Sequence, residues 1–524
     1  MDIRLAPAGL QDPMMAFTWL GDKVDHFMAD PKRARQLIEE LPANEARALE
    51  EITYWLDTIN QTPGFRLEGR FDNVSLLDAA AKERVRKLST DYLSMPRQMK
   101  FQEHRSWSTI HGFWQQLGTA YLKCVDQFDT GLAGLTIIRR SLPLMVARAM
   151  RALALQLKWS LLHYGPVEKR VWSEITRLYQ LAEKRGFADS AITIYPTSRG
   201  HGTVRAEFLK ALMLSASSTD GLSPLRQEIA ERLVAHFSGD FRLSTRADGC
   251  THCFDTAAAK APVRLFKGAE SASGLLFFGP GTALGPLEKL TTRIGESGEV
   301  PVDLNLGARY NKDAVVGVAK HLAMYWGAYP PARASERRPT SGRMTVIPGF
   351  QEVLQAIDPT TSDELDFSQE QPAESWLVEN VSDGGYGTVI PVVKNDWLRV
   401  GTLIGMQSEQ NGLWTIGLIR RIVRDEKNRR HVGIQTLSRT AIPVRLARAG
   451  AAGSPLNVSR EPQPAILLAT APDRRGEVGV IMREGLFNLR DAMEMMISGK
   501  TYGLEPVRLA EGGEDFDWAT FRVT

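Results

Sequence analysis

The residues best suited to chemistry stand in the C-terminal third of the chain. Arginines cluster in Arg333-Ala-Ser-Glu-Arg337-Arg338-Pro-Thr-Ser-Gly-Arg343, and downstream Trp376-Leu-Val-Glu-Asn380-Val-Ser382-Asp-Gly-Gly385 ends a strand-like run in a polar, glycine-bearing turn. A guanidinium is a planar fork that holds phosphate in bidentate fashion, pairs with the O6 and N7 edge of guanine and stacks on its face. The Asn380 amide and Ser382 hydroxyl can donate and accept at a base edge, while Gly384 and Gly385 allow an approach that a Cβ would block. The combination suits an anionic ligand that carries a guanine base.

Asn380, Ser382 and Gly385 fit the motif [D/N]xSxxG, which together with an earlier RxxxR segment marks the PilZ domain, and over residues 331–446 the chain resembles that family. Short strand-like runs follow the motif at Val389–Val393, Thr402–Met406, Leu413–Arg424 and His431–Leu437, the last similar to the family's final barrel strand. The resemblance implies a six-stranded antiparallel β-barrel over residues 331–448 that binds the bacterial second messenger cyclic di-GMP. It also implies the ligand contacts: Arg333, Arg337, Arg338, Arg343, Asn380, Ser382 and Gly385. Arg333 and Arg337 have the strict RxxxR spacing, but Arg337, Arg338 and Arg343 lie nearer the first strand, Met344–Pro348, so the pair stays open. The acidic stretch Asp358–Glu374 lengthens the interval before the turn and reads as a solvated loop. In the alternative, the arginines are a solvated linker and the turn only closes a hairpin.

The rest of the chain divides by pattern. Residues 1–235 read as a helical domain: Leu49, Ile52, Leu56 and Ile59 recur at helical spacing behind a possible Asn44 cap. Trp107, Ile110, Trp114, Leu117, Tyr121 and Phe128 form a second stripe. Pro143–His163 and Val167–Arg185 flank Gly165-Pro166 and read as an antiparallel helical hairpin. Residues 236–330 read as a mixed α/β segment, with strands at Phe241–Thr245 and Leu275–Phe278 and helices at Leu284–Ile294 and Ala314–Trp326. Ala449–Pro464 reads as a linker, and residues 465–524 as a small β-rich module. The expected fold class is therefore multidomain α+β.

Composition narrows the function classes. A length of 524 residues calls for several domains. A formal charge of +3 with 24% charged residues argues against binding a nucleic acid polymer through bulk charge. Three cysteines are too few for a disulfide framework and favour the cytoplasm. The most apolar long segment, Leu142–Tyr164, carries Arg148, Arg151 and Lys158, so no membrane span is expected. Cys250-Thr-His-Cys253 lacks a second ligand pair for zinc, and Gly279-Pro-Gly281-Thr-Ala-Leu-Gly285 has the wrong spacing for a dinucleotide cradle. Neither a metal, a cofactor nor a catalytic residue is expected, and cyclic di-GMP is expected as a ligand. The function expected is a non-enzymatic receptor that relays cyclic di-GMP level to a protein partner through its helical region. The alternative is a scaffold or adaptor whose barrel binds no nucleotide.

Overall fold

The computed structural model describes residues 24–524 apart from 96–98, 131–140, 197–200, 259, 267, 270–273, 307–309, 332–334, 359–372, 391–396, 410, 450–460 and 470–475. Arg333, most of the acidic stretch and most of the expected linker at 449–464 lie outside the described residues.

The N-terminal part is helical: α1 (Pro31–Glu39), α2 (Glu45–Gln61), α3 (Leu67–Leu93), α4 (Lys100–Asp129), α5 (Leu142–Leu162), α6 (Lys169–Lys184), α7 (Val204–Ser215) and α8 (Pro224–His236). Asn44 caps α2 by accepting from the Arg47 amide, which satisfies one of the orphan donors of the first turn. The α4 stripe is packed as its spacing demands, with Ile110, Leu117 and Tyr121 buried and Trp107, Trp114 and Phe128 against the same core. Gly165 closes the hairpin between α5 and α6, its amide donating to the Ser160 carbonyl. Among the described residues, no helix is long and apolar enough to cross a membrane.

The segment that follows forms a four-stranded sheet of β1 (Arg242–Ser244), β2 (His252–Asp255), β3 (Val263–Arg264) and β4 (Leu275–Gly279), ordered β1-β4-β2-β3, with α9 (Leu284–Ser297) and α10 (Lys312–Trp326). The expected boundary at residue 235 does not separate two cores. Phe254, Phe278, Leu287 and Trp326 belong to the same buried cluster as Trp172 and Phe208 of the helices. Cys250 and Cys253 sit in a separate small apolar cluster with Phe277, while His252, on the opposite strand face, stacks on Phe278 at 5.4 Å. Gly281 turns the chain at φ +54°, where a Cβ would collide with the Asp240 carbonyl oxygen, so the glycine-rich stretch is a structural turn.

Two closed antiparallel barrels complete the α+β chain. The first contains β5 (Arg338–Pro348), α11 (Phe350–Ile357), β6 (Glu374–Ser382), β7 (Gly385–Ile390), β8 (Leu403–Ser408), β9 (Asn411–Arg424) and β10 (Arg430–Ser438), with the strands ordered β10-β7-β6-β5-β8-β9. The second contains β11 (Ala441–Arg448), β12 (Gln463–Leu468), β13 (Glu477–Arg483), β14 (Met493–Ile497), β15 (Lys500–Gly512) and β16 (Phe516–Val523), ordered β11-β12-β13-β16-β15-β14. Ala441–Arg448, assigned by sequence to the end of the first barrel, thus pairs with β12 and β14 of the second. Met493 and Met495 are core residues there.

The first barrel is pinned on both sides. Tyr164, at φ +52° in the turn after α5, inserts into the barrel's own core beside Met344, Trp376 and Trp397. Its carbonyl accepts from the Arg424 amide at 2.8 Å, and the Arg424 guanidinium donates to His163 Nδ1 at 2.6 Å. Arg399 pairs with Glu103 of α4 at 2.5 Å and with Glu514 of the second barrel at 3.6 Å. Burial disfavours the charge on Arg399, but the two carboxylates more than offset that and raise its pKa.

Candidate ligand-binding face

The polar motif is carried by the β6–β7 hairpin, where Ser382 pairs with Gly385 and Asp383-Gly384 forms the connection. Its orientation depends on a bulge. Val378 faces Thr388, but the next pair is Asn380 with Gly387, so Glu379 is the extra residue. Without that residue Asn380 would share the inward face of Trp376 and Val378, both of which pack in the barrel core. With it, Asn380 and Ser382 turn to the outer surface.

That surface is built on glycines. Gly387 pairs with Gly433 of β10, and Gly385 pairs with Gln435, so three glycines line one outer face of two adjacent strands. The Asn380 side chain lies over Gly387: a Cβ there would stand 2.5 Å from Asn380 Oδ1. Oδ1 is buried and has no hydrogen-bond partner among the described residues. The Ser382 hydroxyl donates to the Gly385 carbonyl at 3.3 Å. Gly385 itself has a structural task, because a Cβ would collide with the Ile434 carbonyl oxygen across the ladder.

The strand next to this hairpin carries two of the arginines. Arg338 opens β5 and lies opposite Val381, between Asn380 and Ser382 along β6; Pro339 lies opposite Asn380. Arg337 is exposed just before the strand. Arg343 pairs with Leu377 on the outer face and donates to the Ser375 hydroxyl at 3.3 Å. The sequence reading put these arginines before the first strand; Arg338 and Arg343 instead lie on β5, which starts six residues earlier than Met344. Among the described residues, none of the three is paired with a carboxylate, whereas Arg399, Arg420 and Arg421 are paired with Glu103, Glu511 and Asp220. Their charge is available to an anion.

Sequence reasoning missed Gly387, Gly433 and Gln435, and the β9 arginines beside them. Arg420 Nε donates to Gln435 Oε1 at 2.7 Å, and a Cβ on Gly433 would stand 3.3 Å from the Arg421 Cβ. The alternation Gly385-Tyr-Gly387 and the lone Gly433 in the last strand were visible signals, since glycine inside a strand marks a bulge or a close approach.

Comparison with protein-family models gives two matches. Residues 350–443 match the middle PilZ domain of the cyclic-di-GMP receptor FimW. The first barrel matches the PilZ family from α11 through β10. Residues 32–248 match the N-terminal domain of the same receptor. The likeness is therefore not confined to the C-terminal part of the chain: it begins in the helical region, and the PilZ domain is a middle domain followed by another barrel. Comparison with curated proteins gives no match. The matched PilZ segment starts after β5, so the arginines are joined to the motif by the barrel's pairing and not by the family match.

Proposed function

We propose that the chain is a receptor that binds cyclic di-GMP on the outer face of its PilZ domain and relays the bound state through its helical region to a protein partner. The observation that carries this reading is the pairing of β5 with β6, which sets Arg338 beside the Asn380–Ser382 turn in a domain matching that of a cyclic-di-GMP receptor. Arg337, Arg338 and Arg343 would hold the phosphates or the guanine edge, and Asn380 and Ser382 the base, over the flat floor of Gly387 and Gly433. Arg333 remains a candidate from its spacing alone.

The relay has a physical route. Arg421, whose Cβ borders Gly433, forms an ion pair with Asp220, which lies in the short turn Thr219–Gly221 of the helical domain. A ligand seated on the glycine floor would therefore act beside a contact between the domains. Differential affinity for two arrangements of that contact, with a coupling of about 1–3 kcal/mol, suffices for a switch.

Calorimetric titration with cyclic di-GMP, with GTP as competitor, tests binding. Saturable binding that falls at least tenfold in Arg338→Ala and Asn380→Ala is expected. Absence of heat, together with no thermal stabilisation at excess ligand, would support the adaptor alternative.

A further inference from the structure

Both barrels have one topology. Numbering strands from one to six in each, the first barrel pairs one with two, two with three, three with six, six with five, five with four and four with one. The second barrel has the same six pairings in β11–β16, again all antiparallel. The correspondence reaches single residues. On the outer face of the third strand a glycine lies under a second-strand side chain in each barrel: Gly387 under Asn380, and Gly479 under Leu468, where a Cβ would stand 3.0 Å from the Leu468 Cδ1.

The two faces have opposite fates. In the first barrel the outer face of strands two, three and six carries Asn380, Ser382, Gly387 and Gly433. In the second barrel the equivalent face, Ile466 and Leu468 of β12, Ile481 of β13 and Phe516 of β16, is buried in one apolar cluster with Leu403, Ile416 and Leu418 of the first barrel and with α11. An ion pair and a hydrogen bond seal its edge: Arg420 and Glu511 meet through two 2.7 Å hydrogen bonds, and the Phe350 amide donates to Asp515 at 2.8 Å.

We propose that the C-terminal barrel is a second PilZ-type barrel that takes no ligand, its ligand-equivalent face having become the surface that docks the first barrel. Leucine stands where the first barrel has Asn380, so the amide that would meet a base edge is missing. An apolar face of this kind stays buried because exposing it is unfavourable by about 25 cal/mol per Å². The docking leaves the first barrel's own equivalent face open. The two barrels thus meet by unlike faces, and the chain holds one ligand-competent surface.

Two measurements on the full chain test this, and the second rests on the functional reading above. Hydroxyl-radical footprinting should find Leu468, Ile481 and Phe516 protected and the exposed Leu377 labelled; labelling of all four alike would overturn the docking. Equilibrium dialysis with cyclic di-GMP should show that Asn380→Ala/Arg338→Ala loses saturable binding entirely; residual binding that Leu468→Ala or Gly479→Ala then alters would overturn the loss of ligand in the second barrel. If the unmodified chain binds nothing, the functional reading fails, while the footprint still decides the docking. Arg420→Glu and Glu511→Arg should each raise labelling of Phe516, and the double exchange should restore protection, which separates loss of docking from loss of folding.

Discussion

The amide of Asn380 lies across Gly387, and this contact exists only because the bulge at Glu379 turns Asn380 out of the barrel. A Cβ at position 387 would force the amide away from the place where it can meet a base. Gly387→Ala should therefore fold but bind cyclic di-GMP about tenfold more weakly, the weight of one hydrogen-bonded contact. Combining it with Asn380→Ala should add little, since both remove the same interaction. Titration of the two single variants and the double variant checks this.

Gly385 should behave differently. Its Cβ would meet the backbone oxygen of Ile434, which cannot move without opening the β7–β10 ladder. Gly385→Ala should destabilise the PilZ domain by about 1–3 kcal/mol, the usual penalty of overpacking, and lower the melting temperature whether or not ligand is present. An unshifted melting temperature with lost binding would make the glycine a ligand contact instead of a packing requirement.

The arginine at the three-way junction should be more costly to remove. Arg399 and Glu103 have side-chain exposures of only 14% each, so Arg399→Leu removes a charge partner from a largely buried carboxylate. A loss of about 3 kcal/mol is expected, and Glu103→Gln in the same chain should recover part of it. Chemical denaturation of the three proteins decides the point; equal stability of single and double variants would show that the pair does not couple the domains.

Acid should loosen the sheet before the barrels through His252. Burial, with a smaller contribution from the Arg264 charge, lowers its pKa to about 4 from the ordinary 6.5. The folded state therefore binds fewer protons than the unfolded chain between these values, so the contribution of His252 is fully present above pH 6.5 and is lost as pH falls towards 4. His252→Phe should flatten that part of the stability profile. Part of the slope should persist, because burial also lowers the pKa of His26, His111 and His321. Denaturant midpoints measured from pH 7.5 to 4 give the comparison.

Much of this architecture was legible in residue order. The α4 stripe announced a buried face, Asn44 announced a helix start, and β8, β9 and β10 followed from alternating apolar runs bounded by turns. The motif Asn380–Gly385 located the hairpin. Three things were hidden, each set by pairing between distant strands. The bulge at Glu379 has no local signature, yet it decides which way Asn380 points. Ala441–Arg448 continues the strand pattern of the first barrel, and only its ladders with β12 and β14 assign it to the second. β15 escaped notice because Lys500–Gly512 mixes charge, proline and glycine with few apolar residues, as suits a strand largely exposed on its outer side. The shared core of the helices and the middle sheet was invisible for the same reason: burial between segments leaves no period that divides them.

Cyclic di-GMP is proposed to sit where β5 meets the β6–β7 hairpin. Hydrogen exchange of the full chain, with and without saturating cyclic di-GMP, tests it most directly. Ligand-dependent protection is expected in peptides covering Arg337–Arg343 and Val378–Thr388, with a smaller change at Thr219–Gly221 and none in β12, β13 or β16. Protection centred on the second barrel, or on the helices with the β6–β7 hairpin unchanged, would contradict it.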